Sequence, residues 1–541
     1  MDSDDRELIA NQKYLVIDDF DQFRQYLRQL LRSIGANDID IAHDGKQALE
    51  QLTHRHYDVV YCDYNLGSGK DGQQLLEEVR SKNLISELTL FIMVTVENAM
   101  DMVMGAVEFR PDDYLAKPFN KQLLRKRLLR QLQRIEKLRP LYELQQQGEL
   151  EQAITLSKQL ERQLPHYQTL LQRYQTEMLM KLDRVAEAIS IYQQLINQRP
   201  LPWAMLGKAE AHLLQGELQL AEELLQRLLH QNPSMVAAYD LLAQIRWRQN
   251  RIGEAEGVLQ EATSLSPKNV SRQERLARAA LHNGHLDVAL SAARAVINYA
   301  THSIHHHVSH YARLATVQTR MGDMLGARET MSQARKEFRE EDNLYLKLVK
   351  ATQKQSEKRH EEAIELLQQL EQEVKGRSGL DAEFMLYLAD TELALERHTE
   401  GIRILEQIAE NHHDDEAVLE EVKALFVKYN MREEGQRLVE RIRQRIIELN
   451  NHGVAMARKG NMSGALLHFR GALEKMPDNI TININTLQVV FHAEDKLQRQ
   501  PQNIELVRRC LQTLQQRAPQ HPKLPMLQSQ LKRILKKVLP S

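Results

Sequence analysis

Cysteine is nearly missing from this chain of 541 residues: Cys62 and Cys510 are the two present, which excludes a disulfide framework and a clustered thiolate metal site. Glycine and proline are scarce as well. The 22 glycines and 14 prolines sum to 36, which argues against long disordered linkers and for a largely helical remainder. No apolar run approaches the length that spans a bilayer. The start, Met1-Asp2-Ser3-Asp4-Asp5, lacks the basic and apolar pattern of a targeting segment, so the expected setting is cytoplasmic, with no membrane partner. No nucleotide-binding loop or cyclic-nucleotide enzyme motif occurs. At this length and 42% hydrophobic content, at least two folded units are expected.

What is present begins with short β-branched runs that end on chemically loaded residues. Lys13-Tyr14-Leu15-Val16-Ile17 leads into Asp18-Asp19, Val59-Val60-Tyr61-Cys62 ends at Asp63, and Leu90-Phe91-Ile92-Met93-Val94 ends at Thr95. Such runs read as strands buried on both faces. Amphipathic segments of helical length, such as Phe20 to Ile34 and Gly72 to Val79, lie between them. Strand alternating with helix predicts an α/β doubly wound parallel sheet, whose sites form beyond the carboxyl ends of its strands.

Three carboxylates gathered there repel one another and stay ionised together only when a hard cation or a lysine balances them. Mg²⁺ suits such a set, because it takes oxygen ligands, keeps several waters and bridges carboxylate to phosphate. On this reading Asp63 is the nucleophile toward a phosphoryl group, Asp18 and Asp19 hold the metal, Lys117 pairs with a phosphoryl oxygen, and Thr95 offers a hydroxyl to another. A single aspartate at a strand end is ordinary. Five such residues in this order on four strands are not.

These residues, Val16-Ile17-Asp18-Asp19, Asp63, Thr95 and Tyr114-Leu115-Ala116-Lys117-Pro118-Phe119, resemble the receiver domain of two-component response regulators over about residues 11 to 135. The resemblance implies a five-stranded fold and phosphotransfer to Asp63 from a phosphohistidine on a sensor histidine kinase or a phosphotransfer protein. It also implies Mg²⁺ coordination that includes the backbone carbonyl of Asn65, a switch pair of Thr95 and Tyr114, and tuning of hydrolysis from Asn65 and Glu97. Two departures from the family pattern stand out. The loop Asn65-Leu66-Gly67-Ser68-Gly69-Lys70-Asp71-Gly72 lacks a proline and is one residue longer, and Val96 is bulkier than the small residue usual there. Hydrogen bonds from Thr95 and Lys117 to a charged phosphoryl group, at about 1.5 to 3 kcal/mol each, supply most of the roughly 5.5 kcal/mol that inverts a 1:99 equilibrium.

A second, independent signal fills the rest of the chain. Ala153, Ala188, Ala221, Ala255, Ala289, Ala327, Ala363, Gly401, Gly435 and Ala465 recur at steps of 35, 33, 34, 34, 38, 36, 38, 34 and 30 residues. Proline follows twelve residues later at Pro165, Pro200, Pro233, Pro267 and Pro477, and glycine stands five residues before at Gly148, Gly216, Gly284, Gly322 and Gly460. A small residue lets the two helices of a hairpin approach, and the proline stops the second helix. Trp203-Ala204-Met205-Leu206-Gly207, Ala188 to Tyr192 and Ala465 to Phe469 resemble the tetratricopeptide repeat. That resemblance implies about ten hairpins in a right-handed superhelix with a groove for peptides or protein segments, and it supplies no catalytic residues.

The division expected is therefore a receiver at 1–135 whose last helix extends to about 143, an all-α repeat array at 144–495, and a basic helical cap at 496–541. From Lys496 to Ser541 ten Lys or Arg stand against one acid, Glu505, a balance of +9 in a chain of net charge −2. Amphipathic leucines in this tail favour a terminal cover for the array over a nucleic-acid patch. His302, His306 and His310 recur at a four-residue step that would share one face of a helix; a polar face lining the groove is favoured over a Zn²⁺ site, since no Cys, Asp or Glu completes the set. The function expected is a non-enzymatic response regulator of a two-component phosphorelay. Phosphorylation on Asp63 would control protein binding by the array, without nucleic acid. The alternatives are a DNA-binding transcription regulator using the basic C-terminal region and a modulator or phosphatase of another signalling protein.

Overall fold

The computed structural model describes residues 3–96, 111–338, 344–375, 377, 380–493, 500–518, 521 and 523–538. Its N-terminal part is a five-stranded parallel sheet in the order β2-β1-β3-β4-β5. The strands are β1 (Lys13–Ile17), β2 (Asp38–Ala42), β3 (Val59–Asp63), β4 (Leu90–Val96) and β5 (Asp113–Lys117). The helices are α1 (Ser3–Ala10), α2 (Asp21–Ile34), α3 (Gly45–His54), α4 (Gly72–Ser81) and α5 (Lys121–Gln146).

The pleat divides the sheet into two cores. Tyr14, Val16, Val59 and Tyr61 face α2 and α5 through Leu27, Leu31, Leu124, Leu128 and Leu132, while Leu15, Ile17, Val60 and Cys62 face α3 and α4 through Ala48, Leu52, Leu75 and Leu76. Period-2 alternation thus persists inside runs that look uniformly apolar, because both faces are covered. Helix α1 joins the first core. Its Ile9 is fully buried, and the Ile9 carbonyl accepts the Tyr14 hydroxyl at 2.8 Å.

Helix α5 does not stop at Pro140. It continues to Gln146 with Leu138 and Leu141 buried on either side of the proline, so apolar packing outweighs the hydrogen bond the proline removes. The helix then forms the first wall of the array. The Tyr174 hydroxyl donates to the Leu141 carbonyl at 2.8 Å, and Tyr142 meets Tyr174 edge to face.

Downstream the described structure is helical, and the chain divides into two compact units: Met1–Met178 with Val185–Arg246 and Ile252–His310, and Leu179–Arg184 with Trp247–Arg251 and Tyr311–Ser541. Each small residue of the periodic series is the fourth residue of a helix, from Ala153 in Leu150–Gln163 to Ala465 in Met462–Lys475. The close approach is literal. A Cβ at Gly401 would meet Leu393 at 2.6 Å, and one at Gly435 would meet Phe426 at 2.6 Å. The short step of 30 residues has a cause as well, since Arg432–Arg458 is one continuous helix that dispenses with a turn.

A left-handed residue precedes every one of these helices. Five are the glycines of the sequence pattern, with φ from 78° at Gly148 to 83° at Gly460, and five are Asp183, Asn250, Lys358, Glu396 and Asn430, with φ between 59° and 62°. Glycine counting finds only half of the series. The turn geometry is invariant while its residue is not.

The array ends, among the described residues, in helices Pro501–Arg517 and Leu524–Val538. Leu506, Cys510, Leu511 and Leu514 are buried. Arg517 pairs with Asp478 at 2.9 Å and Lys523 with Asp183 at 3.1 Å, so part of the basic tail is committed to its own fold.

Candidate functional site

Parallel strands end together, and that shared edge assembles the site. The register Ile17↔Cys62, Asp63↔Val94 and Thr95↔Ala116 sets the residues after β1, at the end of β3 and near the ends of β4 and β5 side by side. Carboxylate oxygens of Asp18, Asp19 and Asp63 lie within 4.8 Å of one another, and no other such group occurs among the described residues. Asp18 and Asp63 are buried and Asp19 is exposed, so the cluster has a solvent side.

Lys117 closes the opposite side. Its Nζ lies 2.7 Å from Asp18 Oδ2 and 3.0 Å from Asp63 Oδ2, and 3.9 Å from the centre of the Phe23 ring. The Tyr64 backbone N–H donates to Asp63 Oδ1 at 2.9 Å. Burial pushes the Asp63 carboxyl up to about 6. Lys117 acts against that rise, Asp18 adds to it, and the Lys117 and Tyr64 hydrogen bonds lower it. Burial is thus the main cause of the rise. Three hard oxygen donors at this spacing, with one of them exposed, fit Mg²⁺.

The loop after Asp63 is built around glycines. Gly67, at φ 78°, approaches Asp19 so closely that a Cβ there would sit 3.1 Å from Asp19 Oδ2, and its N–H donates to the Asn65 side-chain oxygen at 3.2 Å. Gly72 opens α4 against the Asp63 carbonyl, where a Cβ would stand 2.2 Å away. Asp71 caps α4 through a capping box with Gln74.

Thr95 and Tyr114 lie on the neighbouring strands β4 and β5. Thr95 is partly exposed, its hydroxyl donating to the Val96 carbonyl at 3.3 Å, and Val96 is 70% exposed beside it. Tyr114 packs against the core under α3 and α4, and its hydroxyl is buried with no hydrogen-bond partner among the described residues. Glu97 lies outside the described residues.

The shared helix face read for the histidines is overturned. Residues 301–307 form turns, and the next helix begins only at Val308, so His302, His306 and His310 share no helical face. The Ser303 N–H and hydroxyl both bond the Ala300 carbonyl, and the hydroxyl then accepts the His305 N–H at 3.1 Å, which diverts the backbone from the helix. No metal group forms there among the described residues. What sequence reading missed is where His305 goes: its Nε2 lies 2.6 Å from Glu77 on α4.

A doubly wound sheet that presents an aspartate between an acidic pair and a lysine defines a receiver. The family model for the response regulator receiver domain matches residues 14–129, and tetratricopeptide repeat models match residues 179–236, 241–303 and 355–425. Chemotaxis protein CheY-3 of Vibrio cholerae serotype O1 is 32% identical over 121 residues, which cover 22% of this chain and 92% of that protein. Chemotaxis protein CheY of Pseudomonas aeruginosa is 32% identical over 123 residues, covering 23% and 98%. Among solved structures, a CheY-like response regulator receiver domain protein from Methanospirillum hungatei JF-1 is 22% identical, covers 23% of this chain and 97% of that one, and has a TM-score of 0.21. MamA from Desulfovibrio magneticus RS-1 is 16% identical, covers 32% and 96%, and has a TM-score of 0.28. The chain belongs to the response regulators, with an N-terminal receiver domain and tetratricopeptide repeats downstream. No helix among the described residues is long and apolar enough to cross a membrane.

Proposed function

We propose that Asp63 is the phosphoacceptor and that its phosphorylation controls protein binding by the repeat array. The observation that carries this reading is the Asp63 carboxylate at the end of β3, flanked by Asp18 and Asp19 and bonded by Lys117 at 3.0 Å. An ionised Asp63 oxygen attacks the phosphorus of a phosphohistidine on a sensor kinase or phosphotransfer protein. The P–N bond breaks, its electron pair stays on the imidazole, and an acyl phosphate forms. Water attack on phosphorus later returns the carboxylate and inorganic phosphate.

Asp18, Asp19, Asp63 and the Asn65 backbone carbonyl would hold Mg²⁺. When bound, that ion neutralises charge on the phosphoryl oxygens. Lys117 moves from the carboxylates to a phosphoryl oxygen, and Thr95 donates its hydroxyl to another. Tyr114, whose buried hydroxyl has no partner among the described residues, is the second half of the switch.

Incubation with a small phosphodonor and Mg²⁺ tests the acceptor. One phosphoryl group per chain is expected by intact mass, absent in Asp63→Asn and absent with chelator. Labelling that survives either change would end the assignment. Affinity capture with and without beryllofluoride, an acyl-phosphate mimic, tests the output. The DNA-binding alternative loses support from the intramolecular pairing of Arg517 and Lys523.

A further inference from the structure

The periodic series contains an irregularity that coincides with a contact. Between Ala289 and Ala327 the step is 38 residues, four more than the preceding 34, and the turns of residues 301–307 lie within this longer step. Those turns and the end of helix Leu286–Ala300 meet α4 of the receiver, and the turn before helix Val270–Asn283 meets Tyr64 in the loop ahead of it, within one compact unit.

Four receiver side chains take part. Gln74 Nε2 donates to the Tyr299 carbonyl at 2.9 Å, while Gln74 Oε1 accepts the Asp71 N–H at 3.1 Å. Glu77 Oε1 lies 2.6 Å from His305 Nε2. Lys268 Nζ lies 3.3 Å from the Tyr64 hydroxyl and 5.0 Å from the centre of its ring, and its charge also acts on Asp71. The His305 loop is held in turn by His310, whose Nε2 lies 2.6 Å from the His305 carbonyl. Tyr64 and Gln73 are 4% and 5% exposed.

This contact is wired to the phosphoacceptor by covalent neighbours. Tyr64 follows Asp63, gives its N–H to the Asp63 carboxylate and accepts the Gly72 N–H at 2.8 Å on its own carbonyl. Gly72 lies so near the Asp63 carbonyl that a Cβ on it would stand 2.2 Å away. Rearrangement of the loop 64–72 around a phosphoryl group therefore displaces the start of α4 or the Tyr64 ring, the two features that Lys268, Tyr299 and His305 grip.

We infer that the interrupted segment at Tyr299 to His305, together with Lys268, is a docking site on the array for the chain's own receiver helix α4, and that phosphorylation of Asp63 changes the strength of that docking. The second clause rests on the proposed function, and the first does not. The turns within this repeat are thus a fitted seat for the receiver.

Hydrogen exchange measured by mass spectrometry on the full chain tests both clauses. Lys268→Ala, Glu77→Ala and His305→Ala are each expected to speed exchange about tenfold in segments 72–81 and 299–307 together, since each removes a charged hydrogen bond across the contact. The swap of Glu77→Lys with His305→Glu is expected to restore protection. Unchanged exchange in all three single variants overturns the docking site. In the wild type, uptake of one phosphoryl group is expected to change exchange in both segments, with no change in Asp63→Asn under the same treatment. A singly phosphorylated chain with unaltered exchange overturns the coupling. Failure to take up a phosphoryl group instead strikes the phosphoacceptor reading and the coupling with it, while the three variants still decide the docking site.

Discussion

Lys117 shares one ammonium between two carboxylates from different strands, 2.7 Å from Asp18 and 3.0 Å from Asp63. Removing it leaves Asp18 and Asp63 facing each other without that cation, and both the Coulombic and hydrogen-bond effects of Lys117 on Asp63 lower its pKa. Lys117→Ala should therefore move the pH profile of Asp63 labelling to higher pH and slow labelling at neutral pH by about tenfold or more. Labelling rates across pH 5 to 9 with a small phosphodonor check this. An unshifted profile would show that Lys117 does not govern the nucleophile.

Mg²⁺ binding should release protons near pH 6. The folded Asp63 pKa of about 6 stands above its ordinary 3.8, so at pH 6 a substantial fraction is protonated and must ionise to take the ion. Calorimetry at pH 6 in buffers of different ionisation enthalpy should give a buffer-dependent heat that vanishes in Asp63→Asn. Linkage gives the companion result in chelator. A carboxyl raised on folding contributes stability below pH 3.8 that is lost as pH rises through 6, so Asp63→Asn should raise the melting temperature above pH 6 and lose that advantage in acid. Equal melting temperatures at pH 7.5 would contradict it.

The left-handed turn before each second helix predicts which substitutions stabilise the array. Lys358 and Glu396 occupy φ 62° with a Cβ, where glycine carries no such penalty. Lys358→Gly and Glu396→Gly should each stabilise by up to about 1 kcal/mol, the size of the left-handed cost for an ordinary residue. Gly216→Ala, at φ 78° in open space, should destabilise by a similar amount. Urea midpoints of the array transition decide the signs.

His305 should make the contact with α4 sensitive to pH. Its pKa is raised by the hydrogen bond to Glu77, burial opposes the rise, and the charges of Glu77 and Glu274 add to it. A histidine raised on folding stabilises fully below its ordinary value of about 6.5, and that contribution is lost as pH rises through the raised value. Protection of 299–307, corrected for intrinsic exchange, should fall as pH climbs from 6.5 into the alkaline range. Glu77→Gln should flatten the dependence.

Much of the receiver was legible along the chain because its rules are local. Apolar runs of strand length ended at Asp63 and Thr95, and parallel topology alone carries such ends to one edge, so the site residues could be named before any contact was known. The repeats were legible for a similar reason, since a small residue every thirty-odd positions is the residue that two packed helices demand. Local signals failed where packing overrode them. Lys358 and Glu396 conceal turns that glycine announces elsewhere, because the hairpin holds φ at 62° whatever the side chain. The four-residue step of His302, His306 and His310 suggested a helix face, but Ser303 competed for the Ala300 carbonyl and turned the backbone. The chain by itself thus determined the element types and the order in which the candidate residues reach the strand ends. The sharing of Lys117 between Asp18 and Asp63, and the meeting of Glu77 with His305 across 228 positions, were decided only by tertiary structure. Contacts at such separation leave no periodic trace, because neither side chain is constrained by its own neighbours to point at the other.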